Sequence, residues 1–139
     1  MHEESYRRLI REVAQCAGLK ANDPFLETGL INVGGLDTLL FYDEEFDPGR
    51  LQIRIDFGSL PTDLDELRML TLSLLSVNFD YGMGGLAVFS VNPSNAHVIL
   101  TTQHTLHEYL TAQDLLASIR NSNAQARFAW EEANNKVSR

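Results

Sequence analysis

"RLQIRIDFGSLPTDLDELRMLTLSLLSVNF", residues Arg50 to Phe79, holds the two periodicities from which the fold is read. In its first part Leu51, Ile53, Ile55 and Phe57 alternate with Arg50, Gln52, Arg54 and Asp56. A period of two is that of a strand with one buried and one polar face. In its second part, Leu64, Leu67, Leu70, Leu74 and Val77 fall at helical spacing. A capping pattern of Thr62 and Asp65 after Pro61 precedes them and predicts a helix over Thr62 to Phe79. A second stripe, Met69, Leu72, Leu75 and Phe79, lies on another side of that helix, with only Thr71, Ser73, Ser76 and Asn78 between the two. Met69 to Phe79 thus carries no charge, in a chain of net charge −8. A helix apolar on more than one side should be buried on more than one side.

Upstream, Tyr6, Leu9, Ile10, Val13 and Ala17 predict an amphipathic helix over residues 5 to 17, with Ser5 as its cap and Gly18 at its end. Lys20 to Glu27 reads as a polar loop around Asn22-Asp23-Pro24. Two strands follow, Gly29 to Val33 and Leu36 to Tyr42, parted by Gly34-Gly35, before the turn at Asp47-Pro48-Gly49 leads into the strand from Arg50 to Phe57. Leu39, Leu40, Phe41 and Tyr42 put apolar groups on both faces, so their strand lies deep in the sheet or offers one face to something else.

Downstream, Gly82, Gly84 and Gly85 stop the helix, and Leu86 to Val91 and Ala96 to Thr102 form a hairpin around Asn92-Pro93-Ser94-Asn95. A last helix starts at Thr111, capped with Asp114, and carries Leu115, Leu116, Ile119, Phe128 and Trp130, with Asn121-Ser122-Asn123 weakening its middle. The order α-β-β-β-α-β-β-α, with short strand connections, is that of an α+β fold: a mainly antiparallel twisted sheet flanked by helices. At 139 residues this is one domain over 1–139, ordered from about residue 5 to 132, with no repeat and no linker.

Composition narrows the function. Hydrophobic residues at 44% and charged residues at 22% describe a globular chain. A pI near 4.8 repels phosphate backbones and anionic lipid, so nucleic acid is not expected as a partner. Arg7, Arg8 and Arg11 form the only basic cluster, read as a solvated helix face. No stretch has the length of a signal-peptide core or a membrane span, which predicts a cytoplasmic protein without membrane insertion. Cys16 cannot form an internal disulfide, and its apolar neighbours suggest a buried structural thiol.

No catalytic constellation is visible. His104 and His107 have a spacing that suits a metal only on a helix, and no third ligand completes the set. Gly82-Met83-Gly84-Gly85 leaves a helix C-terminus, where the dipole disfavours an anion, so it reads as a helix stop. Asp43-Glu44-Glu45 with Asp47 lacks the spacing of a calcium loop. No serine sits in a nucleophile elbow. The expectation is a non-enzymatic protein without metal or cofactor.

The apolar surplus of the middle helix has two readings. In one, two copies pack Leu70, Leu74 and Val77 across a twofold axis. Six side chains at about 2 kcal/mol each give roughly 12 kcal/mol gross, against an association cost of about 4 to 15 kcal/mol. In the other, the helix is clamped between the sheet and the terminal helices of one chain.

The chain from about Tyr6 to Trp130 also resembles the Tir-chaperone (CesT) family, the small acidic chaperones of bacterial type III secretion. The resemblance lies in a first helix ending in Ala17-Gly18-Leu19, a strand running into Phe57-Gly58-Ser59-Leu60-Pro61, Leu74-Leu75-Ser76-Val77-Asn78 in the middle helix, and Ala126 with Trp130 in the last. It implies a homodimer with no enzymatic activity that holds the N-terminal segment of a secreted effector non-globular and ready for export. Its dimer contact would involve Leu67, Leu70, Leu74, Val77 and Asn78 of the middle helix. Effector binding would use apolar grooves and a sheet edge, with Leu9, Ile10, Val13, Leu30, Ile31, Leu40 and Tyr42 as candidates. Two other classes stay open: a cytoplasmic regulatory or adaptor domain binding a folded protein, and a small enzyme built around His104 and His107.

Overall fold

The computed structural model describes residues 2–81, 87–107 and 109–137. Its elements are α1 (His2–Cys16), α2 (Phe25–Thr28), β1 (Leu30–Val33), β2 (Leu36–Phe41), β3 (Arg50–Ser59), α3 (Leu64–Tyr81), β4 (Ala87–Asn92), β5 (His97–Thr105) and α4 (Ala112–Val137). The expected helix stop at Gly82, Gly84 and Gly85, and Leu86 at the start of the expected fourth strand, lie outside the described residues.

Five antiparallel strands form one open sheet in the order β1-β2-β3-β5-β4. The short connections make the pairs β1–β2, β2–β3 and β4–β5 neighbours, as their lengths predict. The pairing that joins the two halves is β3 with β5, over Arg50↔Thr105 to Ser59↔His97. Leu51, Ile53 and Ile55 are fully buried on one sheet face, beside Leu40, Val98 and Leu100. Leu9, Ile10 and Val13 of α1, Leu70 and Leu74 of α3, and Leu115, Leu116 and Ile119 of α4 complete that core. At its end Phe57 packs against Phe89 and Trp130, with ring centroids 5.6 and 6.0 Å apart.

Several boundaries differ from expectation, each for a local reason. The first helix begins at His2, so Ser5 lies inside it, and Glu3 and Glu4 occupy the first turn, where the dipole favours acids. The expected loop Lys20 to Glu27 contains α2, because Phe25 is buried and Asp23 Oδ1 accepts the Phe25 amide at 2.9 Å. Gly29 ends α2 at φ 73°, its amide on the Phe25 carbonyl at 2.8 Å. The carbonyl of Leu40 lies where a Cβ of residue 29 would stand.

The cap of α3 is Asp63, whose Oδ2 accepts the Glu66 amide at 3.0 Å, one residue later than the Thr62 pattern predicts. At α4 the expected cap holds, with Thr111 Oγ1 accepting the Asp114 amide at 3.1 Å. That helix runs unbroken through Asn121-Ser122-Asn123. Asn123 is buried and donates to the Val33 carbonyl at 3.3 Å, while Arg127 donates to that of Gly34 at 2.9 Å. Asn123, expected to weaken the helix, thus joins Arg127 in binding it to the β1–β2 turn. Phe128, by contrast, is exposed. Cys16 is exposed as well, contrary to the expected buried thiol. It stands in the last turn of α1, about a quarter turn from the centre of the buried stripe.

Candidate functional site

Two open surfaces stand out. The first is the outer side of α3. Met69, Leu72, Leu75 and Phe79 are exposed at 42, 59, 58 and 77%. At about 100° per residue they fall on one side of the helix, and toward its N-terminal end Asp65 and Arg68 share that side. The other apolar stripe faces inward from Leu67 on, with Leu70 fully buried, Leu74 buried, and Leu67 and Val77 half-buried, while Leu64 at the start of the helix is exposed. Of the residues expected at a dimer contact, Leu70 and Leu74 are buried within the protomer. Asn78 is engaged within the protomer: its Oδ1 accepts the Phe89 amide at 2.7 Å and its Nδ2 donates to the Phe89 carbonyl at 2.9 Å. Phe89 lies in the edge strand β4, so one side chain satisfies both polar groups that this residue turns away from β5.

The second surface is the sheet face opposite the helices. Alternation along the strands puts Leu39 and Phe41 of β2, Arg50, Gln52, Arg54 and Asp56 of β3, and Ile99, Thr101 and Gln103 of β5 on it. A shallow groove of about 720 Å³ crosses it, lined by Leu30, Leu39, Arg54 and Ile99 among others. Gly58, at φ +100°, makes a bulge in β3, its amide bound to Asp56 Oδ1 at 2.7 Å. The Asp56 carboxylate also meets His97 Nδ1 at 2.8 Å.

Among the residues expected to bind a client, Leu9, Ile10, Val13 and Leu40 lie in the core. Ile31 packs against it from β1, and Tyr42 is half-buried with its ring 5.3 Å from that of Tyr6. Leu30 is 56% exposed and stands at the rim of the groove. Burial pushes the Tyr6 phenol above its usual range, and the hydroxyl donates to the Leu40 carbonyl at 3.4 Å. Sequence reasoning does not single out the groove residues Arg54 and Ile99, and reaches Leu39 only through the strand that is apolar on both faces. The alternation of β3 does show Arg54 on the polar face, but not that this face stays uncovered.

His104 lies within β5, at 3.3 Å from Thr102 Oγ1, and burial lowers its affinity for a proton. His107 follows the strand and accepts the Tyr109 amide at 3.1 Å. Among the described residues no group of three or more His, Cys, Asp or Glu side chains is placed to hold a metal ion. Asp43 accepts the amides of Glu45 and Phe46, as a solvated turn residue does. No described helix is long and apolar enough to cross a membrane.

No family model matches the sequence, and no curated protein does. The fold does have solved counterparts. One is a chain of the ExsC–ExsE complex, with a TM-score of 0.64, 20% identity and 92% of each chain covered. Another is a chain of the ExoT–SpcS complex of Pseudomonas aeruginosa, with a TM-score of 0.54, 12% identity, and coverage of 88% of this chain and 95% of that one. A chain of the ExoU–SpcU complex from the type III secretion system of the same organism aligns at a TM-score of 0.48 and 15% identity over 93% of both. The α+β fold implied by the resemblance to type III secretion chaperones is the fold found.

Proposed function

We propose that this protein is a non-enzymatic chaperone of type III secretion. It binds the N-terminal segment of a secreted effector in the bacterial cytoplasm, holds it non-globular, and acts as a homodimer. The observation that carries this reading is the pair of uncovered surfaces on a fold shared with chains of the ExsC–ExsE and ExoT–SpcS complexes. A lone soluble domain gains nothing from holding Leu72, Leu75 and Phe79 in water, and apolar patches of this kind mark association sites.

The two surfaces suit different partners. The helical stripe is apolar and exposed and can meet its own copy across a twofold axis, so the proposed dimer contact is Met69, Leu72, Leu75 and Phe79. The open sheet face, with Leu30 at its rim, suits an extended chain. Native mass spectrometry of the protein gently purified from its own cells tests the reading. Two copies bound to one larger protein, through that protein's N-terminal region, are expected. A lone monomer, or a complex with a folded protein that never leaves the cell, overturns it in favour of an adaptor domain.

A further inference from the structure

Two cations stand on the open sheet face without an acidic partner. Arg54, in the central strand β3, donates from Nη2 to Gln52 Oε1 at 3.1 Å, and its guanidinium carbon lies 4.9 Å from the centre of the Phe41 ring. Arg50, four residues earlier on the same face, donates from Nη1 to Gln103 Oε1 at 3.2 Å. Neither takes part in an ion pair among the described residues. The carboxylates of that face are engaged elsewhere: Asp56 with His97 and the Gly58 amide, Asp37 with Asn32 Nδ2 at 3.3 Å. Arg54 is thus held in place by an amide and an aromatic ring, with N–H groups left to donate, and apolar Leu30, Leu39 and Ile99 line the same groove.

We propose that Arg54, supported by Arg50, reads an acidic side chain in the client segment that lies across the sheet, so that the preferred client sequence places an acid between apolar residues. This rests on the chaperone reading above. Complementarity supports it at the level of single groups: Asp37 and Asp56 also line the groove, but both are bonded within the protomer, so the guanidinium of Arg54 is the charged group there with donors left for an acid of the client. Desolvation supports it further. An apolar segment laid over Arg54 buries an unpaired cation, whereas a carboxylate at that point forms charge-assisted bonds to the guanidinium fork. Selection therefore comes as much from the penalty on the wrong segment as from the gain on the right one.

The test uses two fluorescein-labelled peptides of alternating leucine and serine, identical except for a central glutamate or glutamine, titrated into the full chain and followed by fluorescence anisotropy. Wild type should bind the glutamate peptide about tenfold more tightly, the size of one charge-assisted hydrogen bond. Arg54→Gln should abolish the preference, and Arg54→Lys should keep part of it, since lysine retains the charge without the fork. Arg54 is exposed, so the variants fold. Equal binding of both peptides by wild type overturns the proposal, and so does an undiminished preference in Arg54→Gln or the failure of either peptide to bind. A change of oligomeric state in Arg54→Gln with the preference intact overturns it too, and assigns the face to a second copy. The chaperone reading stands or falls separately, on the mass of the complex isolated from cells.

Discussion

The two sides of α3 have nearly the same composition and opposite fates. Leu70 and Leu74 are buried under α4 and the sheet, while Leu72 and Leu75 are more than half exposed. All four are leucines within one charge-free stretch, so their side-chain chemistry does not separate them. What separates them is coverage: the inner stripe meets a sheet face and a second helix, and the outer one meets water within the protomer. Apolarity marks a surface that wants a partner, and the partner is supplied by the same chain on one side only.

The strongest way to break this contrast is to charge the inner side. Leu74→Asp should unfold the protomer, and Leu70→Ala should cost about 3 to 5 kcal/mol in urea unfolding, as for a fully buried leucine. Next in size is the bond between α3 and the sheet edge. Asn78→Ala leaves both polar groups of Phe89 without their partner and should cost roughly 2 to 3 kcal/mol, seen in the same assay. Amide exchange at Phe89 should rise with it.

The outer side should behave in the opposite sense. Leu72→Ser together with Leu75→Ser should shift protomer stability by no more than about 0.5 kcal/mol, yet move the protein from dimer to monomer in sedimentation equilibrium. A double variant that stays dimeric would remove the outer stripe from the interface. The mildest probe is a proton, taken up in β5 rather than on α3. Burial lowers the proton affinity of His104 below its ordinary value of 6.5, so the folded state binds fewer protons there than the unfolded chain. Stability should then be full above about pH 6.5 and decline as the pH falls below it, and His104→Gln should flatten that decline in thermal melts.

Much of the fold is legible in local pattern. The alternation from Arg50 to Phe57 and the helical spacing of Leu9, Ile10 and Val13 reflect periods of 2 and 3.6 that any one-sided element must show. The reading falters where a residue's role depends on a distant segment. Phe25 anchors a helical turn inside a stretch that is otherwise polar, and Asn123 looks like a helix breaker until the Val33 carbonyl is seen beside it. Cys16 sits among apolar neighbours in sequence and yet faces solvent. The proposed client surface is the least legible part. Leu9, Ile10, Val13 and Leu40 are as apolar as Leu30, and only Leu30 stands on an open face.

By itself, then, the sequence determined the kinds of elements and their order, the acidity, and the presence of an apolar surplus in the middle helix. These follow from residue type and spacing, which act over a few residues. The tertiary structure alone decided that β5 lies between β3 and β4, which stripe of α3 turns inward, and that one sheet face stays uncovered with Arg54 at its centre. These are matters of coverage. An apolar side chain has no preferred direction until another part of the chain takes it out of water, because the hydrophobic effect scales with area removed and not with orientation.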